Sequence, residues 1–348
     1  MILLRIILLP VSLLYSLIIF ARNKMYDFGI FKLHKISVPV ISIGNITTGG
    51  TGKTPLTVFI AKHYLDNDLK VGIVSRGYKR KTKDIVIVCD GISVNQDTEM
   101  SGDEPVMMSN ELISSGRNKF FAAAGSDRVR TSRFLISKFN PDIIILDDGF
   151  QHRRIIRDLD IVLIDAQDYI NNKFKNLFTL PSGNLRENIY NLNRADLIVQ
   201  NDKSGNLKLI SGLSEFSAEL ISIRYKSEYF MDFKNSILKE TECRGKRAFI
   251  FSGLADNGSF FDQINQSGMI LKGFRNFPDH HDYKLSDIDS LISEYETGIM
   301  FVTTEKDFTK IKKFGKFVSE FPVYFLKIGI EVIDKNNILI NKLNAVIK

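Results

Sequence analysis

The chain is poor in cysteine. Only Cys89 and Cys243 occur in 348 residues, far apart and in no C-x-x-C pair. That excludes a disulfide framework and a cysteine-built zinc site, and it suits two buried thiols in a reducing compartment. No internal repeat and no low-complexity segment occurs, which excludes a solenoid or a disordered chain. Clustered Lys/Arg with interleaved aromatics is also missing, because the Lys79-Arg80-Lys81 run is too short. This argues against a nucleic-acid-binding ATPase. An N/T-K-x-D guanine motif is lacking too; Thr304-Glu305-Lys306-Asp307 holds similar letters in another order, which counts against a GTPase. What remains is a globular composition, 44% hydrophobic and 25% charged, long enough for one large domain or two ordinary ones. The net charge of +7 suits nucleic acid, anionic lipid or a phosphorylated substrate, and chooses none of them.

Residues 1–20 read MILLRIILLPVSLLYSLIIF. As one helix they would extend about 30 Å, close to a bilayer core. A cleaved signal peptide does not fit, because no A-x-A site follows. Arg5 and Pro10 inside the run weaken a spanning helix, and a buried core helix is the plain structural alternative. The favoured reading is a membrane-associated helix over 1–24 lying in the interface, with Arg5 reaching the headgroups.

Residues 38–45, VPVISIGN, read as a buried strand. Thr47-Thr48-Gly49-Gly50-Thr51-Gly52-Lys53-Thr54 follows, and then a helix pattern opens at Pro55. Strand, glycine-rich turn and helix in that order form the context of a Walker A loop. Backbone N–H groups of the turn face phosphate oxygens, Lys53 supplies charge to the β/γ-phosphates, and Thr54 offers a hydroxyl to Mg²⁺. The strict pattern wants Gly where this chain has Thr47. Downstream, the apolar run 143–146 ends in Asp147-Asp148, a Walker B arrangement at the carboxyl end of a predicted parallel strand. Two adjacent carboxylates there repel unless a cation neutralises them, although either is also a plausible helix cap. Asp103 sits in a polar loop before a helix pattern and is a candidate N-cap. Asp279-His280-His281-Asp282 fits a metal site, an acid–base site or surface polarity.

Strand-like runs alternate with helical ones through residue 226, which predicts an α/β fold. It is P-loop NTPase-like, with a mainly parallel sheet and helices on both faces. Residues 85–94 read as a small hairpin turning at Cys89-Asp90-Gly91. A smaller α/β second domain is expected over 246–348, after a polar linker at 227–245. The first domain then covers 25–226.

The series GNITTGGTGKTP, SRGY, GDEP, GSDRVR, LDDGFQHR, LPSGNLRE, NRAD, FPDHHDY and TTEKD resembles the tetraacyldisaccharide 4′-kinase family across nearly the whole chain. The resemblance implies a lipid A biosynthesis kinase: an ATP-dependent transferase that phosphorylates the 4′-hydroxyl of a glycolipid substrate, tetraacyldisaccharide 1-phosphate, giving lipid IVA. It implies ATP and Mg²⁺, a membrane surface, no nucleic acid, no obligate protein partner, and a peripheral place on the cytoplasmic face of the bacterial inner membrane. Asp103 and His280 would form the acid–base pair, with His280 preferred over His281. Thr54, Asp147, Asp148 and Glu187 would sit around the metal with Gln151 close by. Arg76, Tyr78, Arg128 and Arg186 would touch substrate or phosphate. The competing reading is a membrane-associated P-loop ATPase/GTPase switch without a lipid acceptor.

Overall fold

The computed structural model describes residues 2–347 except Lys79, Gln96, 173–174, 203–209, Ser211, 255–256 and His280; of residues 2–4 and 259 it describes the backbone alone. Contacts divide the chain into two compact units, residues 1–224 with 332–348, and residues 225–331.

The first unit opens with helices α1 (Ile2–Ile7) and α2 (Leu9–Asp27). Pro10 sits in the first turn of α2, where its missing N–H breaks no hydrogen bond, so it starts the helix instead of kinking it. Then come β1 (Val40–Asn45), α3 (Lys53–Asp66), β2 (Val71–Ser75), β3 (Val86–Cys89), α4 (Thr98–Ser101), α5 (Asp103–Ser114), β4 (Phe120–Ala124), α6 (Arg128–Phe139), β5 (Ile143–Asp147), β6 (Leu159–Asp165), α7 (Ala166–Asn171), β7 (Leu197–Asp202) and the first half of β8 (Glu219–Asp232). Strand order is β8-β7-β6-β1-β5-β2-β4-β3. Every neighbouring pair is parallel except β3 with β4. The expected hairpin is therefore an antiparallel edge strand, closed at its turn by a bridge between Cys89 and Val94.

β1, β2, β5 and β7 are buried along their whole length, as strands covered on both faces must be. From β1 the chain moves toward β2 and β4, then turns back through β5 to β6, β7 and β8. Right-handed crossovers place α3 and α6 on opposite faces of such a sheet. The switch point lies at β1 and β5, and ligands collect outside the carboxyl ends of strands there.

The second unit holds β9 (Ile237–Lys239), β10 (Arg247–Ser252), α8 (Gly258–Gln266), β11 (Ile270–Asn276), α9 (Leu285–Ile292), β12 (Ile299–Thr304), α10 (Glu305–Ile311), α11 (Gly315–Glu320) and most of β13 (Val323–Ile333). The strands β11-β10-β12-β13 run parallel around an aromatic core that includes Phe251, Tyr283, Phe301, Phe308 and Phe325. The stretch expected as a linker is not one. β9 pairs antiparallel with the second half of β8, and Phe230 and Cys243 are fully buried in this unit's core. β8 is only half covered here, and the turn and β9 after it are largely exposed, so composition alone does not separate the stretch from a linker. The chain end also departs from expectation. Residues 332–348 carry α12 (Ile338–Ile347), whose Leu343 carbonyl accepts a 2.8 Å hydrogen bond from Tyr64 of α3 in the first unit.

Candidate active site

The turn between β1 and α3 is fixed at both ends. Thr47 bridges Leu185, the Thr48 N–H donates to the Asn184 carbonyl at 2.8 Å, and the Arg186 N–H donates to the Ile46 carbonyl at 2.8 Å. On the other flank Asn201, at the end of β7, donates to the Thr51 carbonyl at 2.9 Å. Within the loop positive φ occurs only at Gly49 and Gly52, with values of 109° and 92°. Thr47 needs no left-handed backbone, which explains why this chain carries no glycine there. Gly49 and Gly50 are exposed, Thr51 and Gly52 are buried, and Lys53 and Thr54 open α3 half-buried. The loop thus presents N–H groups and a helix N-terminus to an anion.

Lys53 Nζ lies 3.5 Å from Asp148 Oδ1. Asp148 follows β5 in a left-handed conformation, φ 54°, which an Asp side chain tolerates better than most. Arg186 Nη1 reaches both its oxygens, at 2.8 and 2.9 Å. Burial opposes ionisation of Asp148, but Lys53 and Arg186 outweigh it and hold its pKa down at about 2. Asp147 is the opposite case. It is wholly buried, accepts from Ser75 Oγ at 3.0 Å, and leaves Oδ1 with no hydrogen-bond partner. Burial, then the charges of Glu104 and Asp148, push its pKa up. A buried carboxylate with an unused oxygen and acidic neighbours is a place for a cation. Glu187 stands one step behind. Its oxygens take Gln151 at 3.0 Å, Asn23 at 3.1 Å and Arg194 at 2.8 Å, and Gln151 also donates to the Asn45 carbonyl at 2.9 Å. Among the described residues no three His, Cys, Asp or Glu side chains gather as a metal cage. The buried Asp147 carboxylate with its unused oxygen suits Mg²⁺, which binds through one or two carboxylates together with phosphate oxygens.

Asp103 opens α5, half-buried, directly after Gly102. Gly102 has φ 92°, and a Cβ there would stand 2.8 Å from Gly77 Cα. This contact seats the turn of exposed Arg76 and Tyr78 against the start of α5.

The family described as tetraacyldisaccharide-1-P 4′-kinase, LpxK, matches residues 4–348. The tetraacyldisaccharide 4′-kinase of Aquifex aeolicus is 37% identical over 306 residues, 88% of this chain and 89% of that one. The one from Chlorobium chlorochromatii is 32% identical over 351 residues, 97% and 92% of the two chains. The crystal structure of LpxK from Aquifex aeolicus in complex with ATP superposes with a TM-score of 0.79 at 32% identity, over 99% of this chain and all of that one. The chain belongs to the tetraacyldisaccharide 4′-kinase family.

Of the residues that the motifs and the resemblance singled out, Thr47 to Thr54, Asp147, Asp148, Glu187, Gln151 and Arg186 meet around one loop. Arg186 does so as the partner of Asp148, so its guanidinium here serves a carboxylate. Arg128 departs further from a substrate contact. It is 2% exposed, and its guanidinium donates to the carbonyls of Gly125 at 2.6 Å and Asp147 at 3.3 Å. His280 lies outside the described residues. Its neighbour His281 is occupied: the ring stacks on Phe277, abuts Tyr283 and pairs with Asp287 at 2.9 Å.

Sequence reasoning missed four residues. Glu104 sits in GDEP beside Asp103 and acts on Asp147. Ser75 ends β2 opposite Asp147. Asn201 lies two residues past the apolar run 197–199, which was the available signal. His152, in LDDGFQHR, lies near Arg128, and burial, then Arg128, lowers its pKa to about 4. That places an uncharged ring beside the buried arginine at neutral pH.

Proposed function

We propose that this chain transfers the γ-phosphate of ATP to the 4′-hydroxyl of tetraacyldisaccharide 1-phosphate at a membrane surface. The observation that carries the reading is the Lys53–Asp148 contact of 3.5 Å at a P-loop, in a chain whose family matches end to end. In this reading the N–H groups of residues 49–54 hold the β-phosphate, and Lys53 neutralises charge on the γ-phosphate. Asp147, with Thr54 and Glu104 beside it, would hold Mg²⁺; Asp148 and Glu187 orient those ligands from behind. The ion supplies charge neutralisation on the phosphate oxygens. A sugar hydroxyl has a pKa far above 7, so its proton must leave as it attacks, to Asp103 or His280. Arg76 and Tyr78, exposed beside Asp103, are placed to meet the acceptor or its 1-phosphate.

The membrane part of the reading is supported by an inverted helix. Among the described residues no helix is long and apolar enough to cross a bilayer. α2 turns Ser12 and Asn23 inward, where they are buried, while Leu13, Leu14, Leu17, Ile18 and Phe20 are 56–64% exposed. Phe28, Ile30 and Leu33 extend the exposed apolar surface beyond the helix. Such a surface is what an enzyme drawing a four-chain lipid from the interface needs, and a cytoplasmic face is where ATP is found. Incubation with γ-labelled ATP and tetraacyldisaccharide 1-phosphate, followed by chromatography of the lipid, tests the reading. Label in a new, more polar lipid supports it; ATP consumption with no labelled lipid overturns it.

A further inference from the structure

The polar stripe of α2 makes specific bonds to the active-site strut. Residues 179–187 run from under the helix to the P-loop, where Asn184 and Arg186 pair with the Ile46–Thr48 backbone. Along this strut Arg5 of α1 donates to the Ser182 carbonyl at 2.7 Å, while from α2 Ser16 meets Thr179 at 2.7 Å, and the Thr179 hydroxyl donates to the Ser12 carbonyl at 3.0 Å. Closer to the site, the Tyr15 hydroxyl donates to the Arg186 carbonyl at 2.9 Å. Arg22 donates to the Gln151 carbonyl at 2.8 Å, and buried Asn23 donates to Glu187 Oε2 at 3.1 Å. Arg153, two residues after Gln151, returns a bond to the Asn23 carbonyl at 2.8 Å. The acceptors of Tyr15, Arg22 and Asn23 belong to the Arg186–Asp148–Lys53 chain or to the Glu187–Gln151–Asn45 chain.

We propose that Tyr15 and Asn23 are positioning residues for phosphoryl transfer, so that the helix which rests in the membrane also sets the P-loop site. Resting on the reading of Lys53 and Asp148 as the nucleotide site, this assigns α2 a second task beyond anchoring. Tyr15 fixes the backbone of Arg186, whose guanidinium holds Asp148 toward Lys53. Asn23 supplies one of the three donors on Glu187 and thereby fixes the amide of Gln151 under the end of β1. A purely anchoring helix needs neither bond. Its inner face would be met as well by small apolar residues, without the cost of burying an asparagine 95% out of solvent.

The test uses the full chain in detergent micelles of tetraacyldisaccharide 1-phosphate, where recruitment to a bilayer plays no part. Two quantities are read: the affinity for a fluorescent ATP analogue with Mg²⁺ in the absence of lipid, and kcat with KM for the lipid. Tyr15→Phe removes one hydroxyl and is expected to lower nucleotide affinity and kcat about three-fold. Asn23→Ala is expected to lower both about ten-fold, the usual scale for a residue that orients a ligating group. In both variants the lipid KM stays at the wild-type value. Lys53→Ala probes the site itself: if it binds the analogue like wild type, the reading of the site falls and this inference with it. If Lys53→Ala loses binding while Tyr15→Phe and Asn23→Ala keep wild-type affinity and kcat, the site stands and the positioning role is overturned. A raised lipid KM as the only change also overturns it, since α2 is then an anchor alone. Should Asn23→Ala melt early, Asn23→Ser and Tyr15→Phe decide by the same two readouts.

Discussion

Lys53 Nζ stands 3.5 Å from Asp148 Oδ1, so the lysine that opens α3 and the acidic strand end form one electrostatic unit. Arg186 completes it from the other side of the carboxylate, at 2.8 Å. Asp148→Asn would leave two cations facing each other across an uncharged amide. Its kcat is expected to fall by at least about 10², the scale of losing a preorganised charge at a phosphoryl-transfer centre. Steady-state kinetics at saturating ATP measures this, and near-normal kcat would remove Asp148 from the mechanism.

His281 is engaged by Phe277, Tyr283 and Asp287, and its carbonyl accepts from Lys310 at 3.1 Å. His281→Gln is therefore expected to lower the melting temperature of the protein more than it lowers kcat. His280→Ala and Asp103→Ala are expected to do the reverse, with kcat reduced by at least about 10² and little change in melting. Calorimetry paired with turnover assays decides, and a His281 variant that melts normally yet turns over 10²-fold more slowly would reassign the acid–base role.

How much of this was legible beforehand follows from where the determinants lie. The P-loop, Asp147-Asp148 and the parallel sheet are local patterns, because burial on both faces and phosphate cradling each write a short signature. The end of β8 and β9 misled because a half-covered strand has a linker's composition, and Phe230 and Cys243 were too sparse a signal. The hydrogen bonds from Tyr15 and Asn23 span 171 and 164 residues, and no pattern in one sequence pairs residues at that separation. The resemblance implied Arg128 as a substrate or phosphate contact; its burial under the Asp147 carbonyl is a tertiary fact.

His152 gives acid stability a measurable slope. Burial, then Arg128, lowers its pKa to about 4 in the folded protein, against about 6.5 in the unfolded chain. Between these values the unfolded state binds more protons, so stability rises with pH across that window and is lost as pH falls from about 6.5 to about 4. His152→Asn is expected to flatten the dependence of melting temperature on pH in that range. An unchanged slope in the variant would show that other groups carry it.

Gly102 tests the contact that places Asp103. Alanine there must adopt φ 92° and push its Cβ to 2.8 Å from Gly77 Cα. A backbone at φ 92° and ψ 148° is essentially reserved for glycine and costs about 1–3 kcal/mol for a residue with a side chain, and the clash with backbone adds to it. The turn of Arg76 and Tyr78 and the start of α5 are expected to separate. Gly102→Ala should thus lose stability and also raise the lipid KM, since Tyr78 and Asp103 shift apart. A variant that melts earlier with unchanged kinetics would show that the contact supports the fold without tuning the site.

The apolar face of α2 yields a prediction that does not depend on catalysis. Leu13 and Leu17 are four residues apart on one helical face and are 64% and 62% exposed. Burying a leucine side chain is worth about 1.5–3 kcal/mol, so replacing both by serine should weaken partition into phospholipid vesicles by at least about 10². The loss should persist at high salt, because the driving force is apolar area and screening acts on charge alone. Vesicle co-sedimentation across a salt series measures it. If the double variant binds vesicles like wild type at high salt, the contact with lipid lies elsewhere, and the exposed Phe28 and Ile30 become the residues to change next.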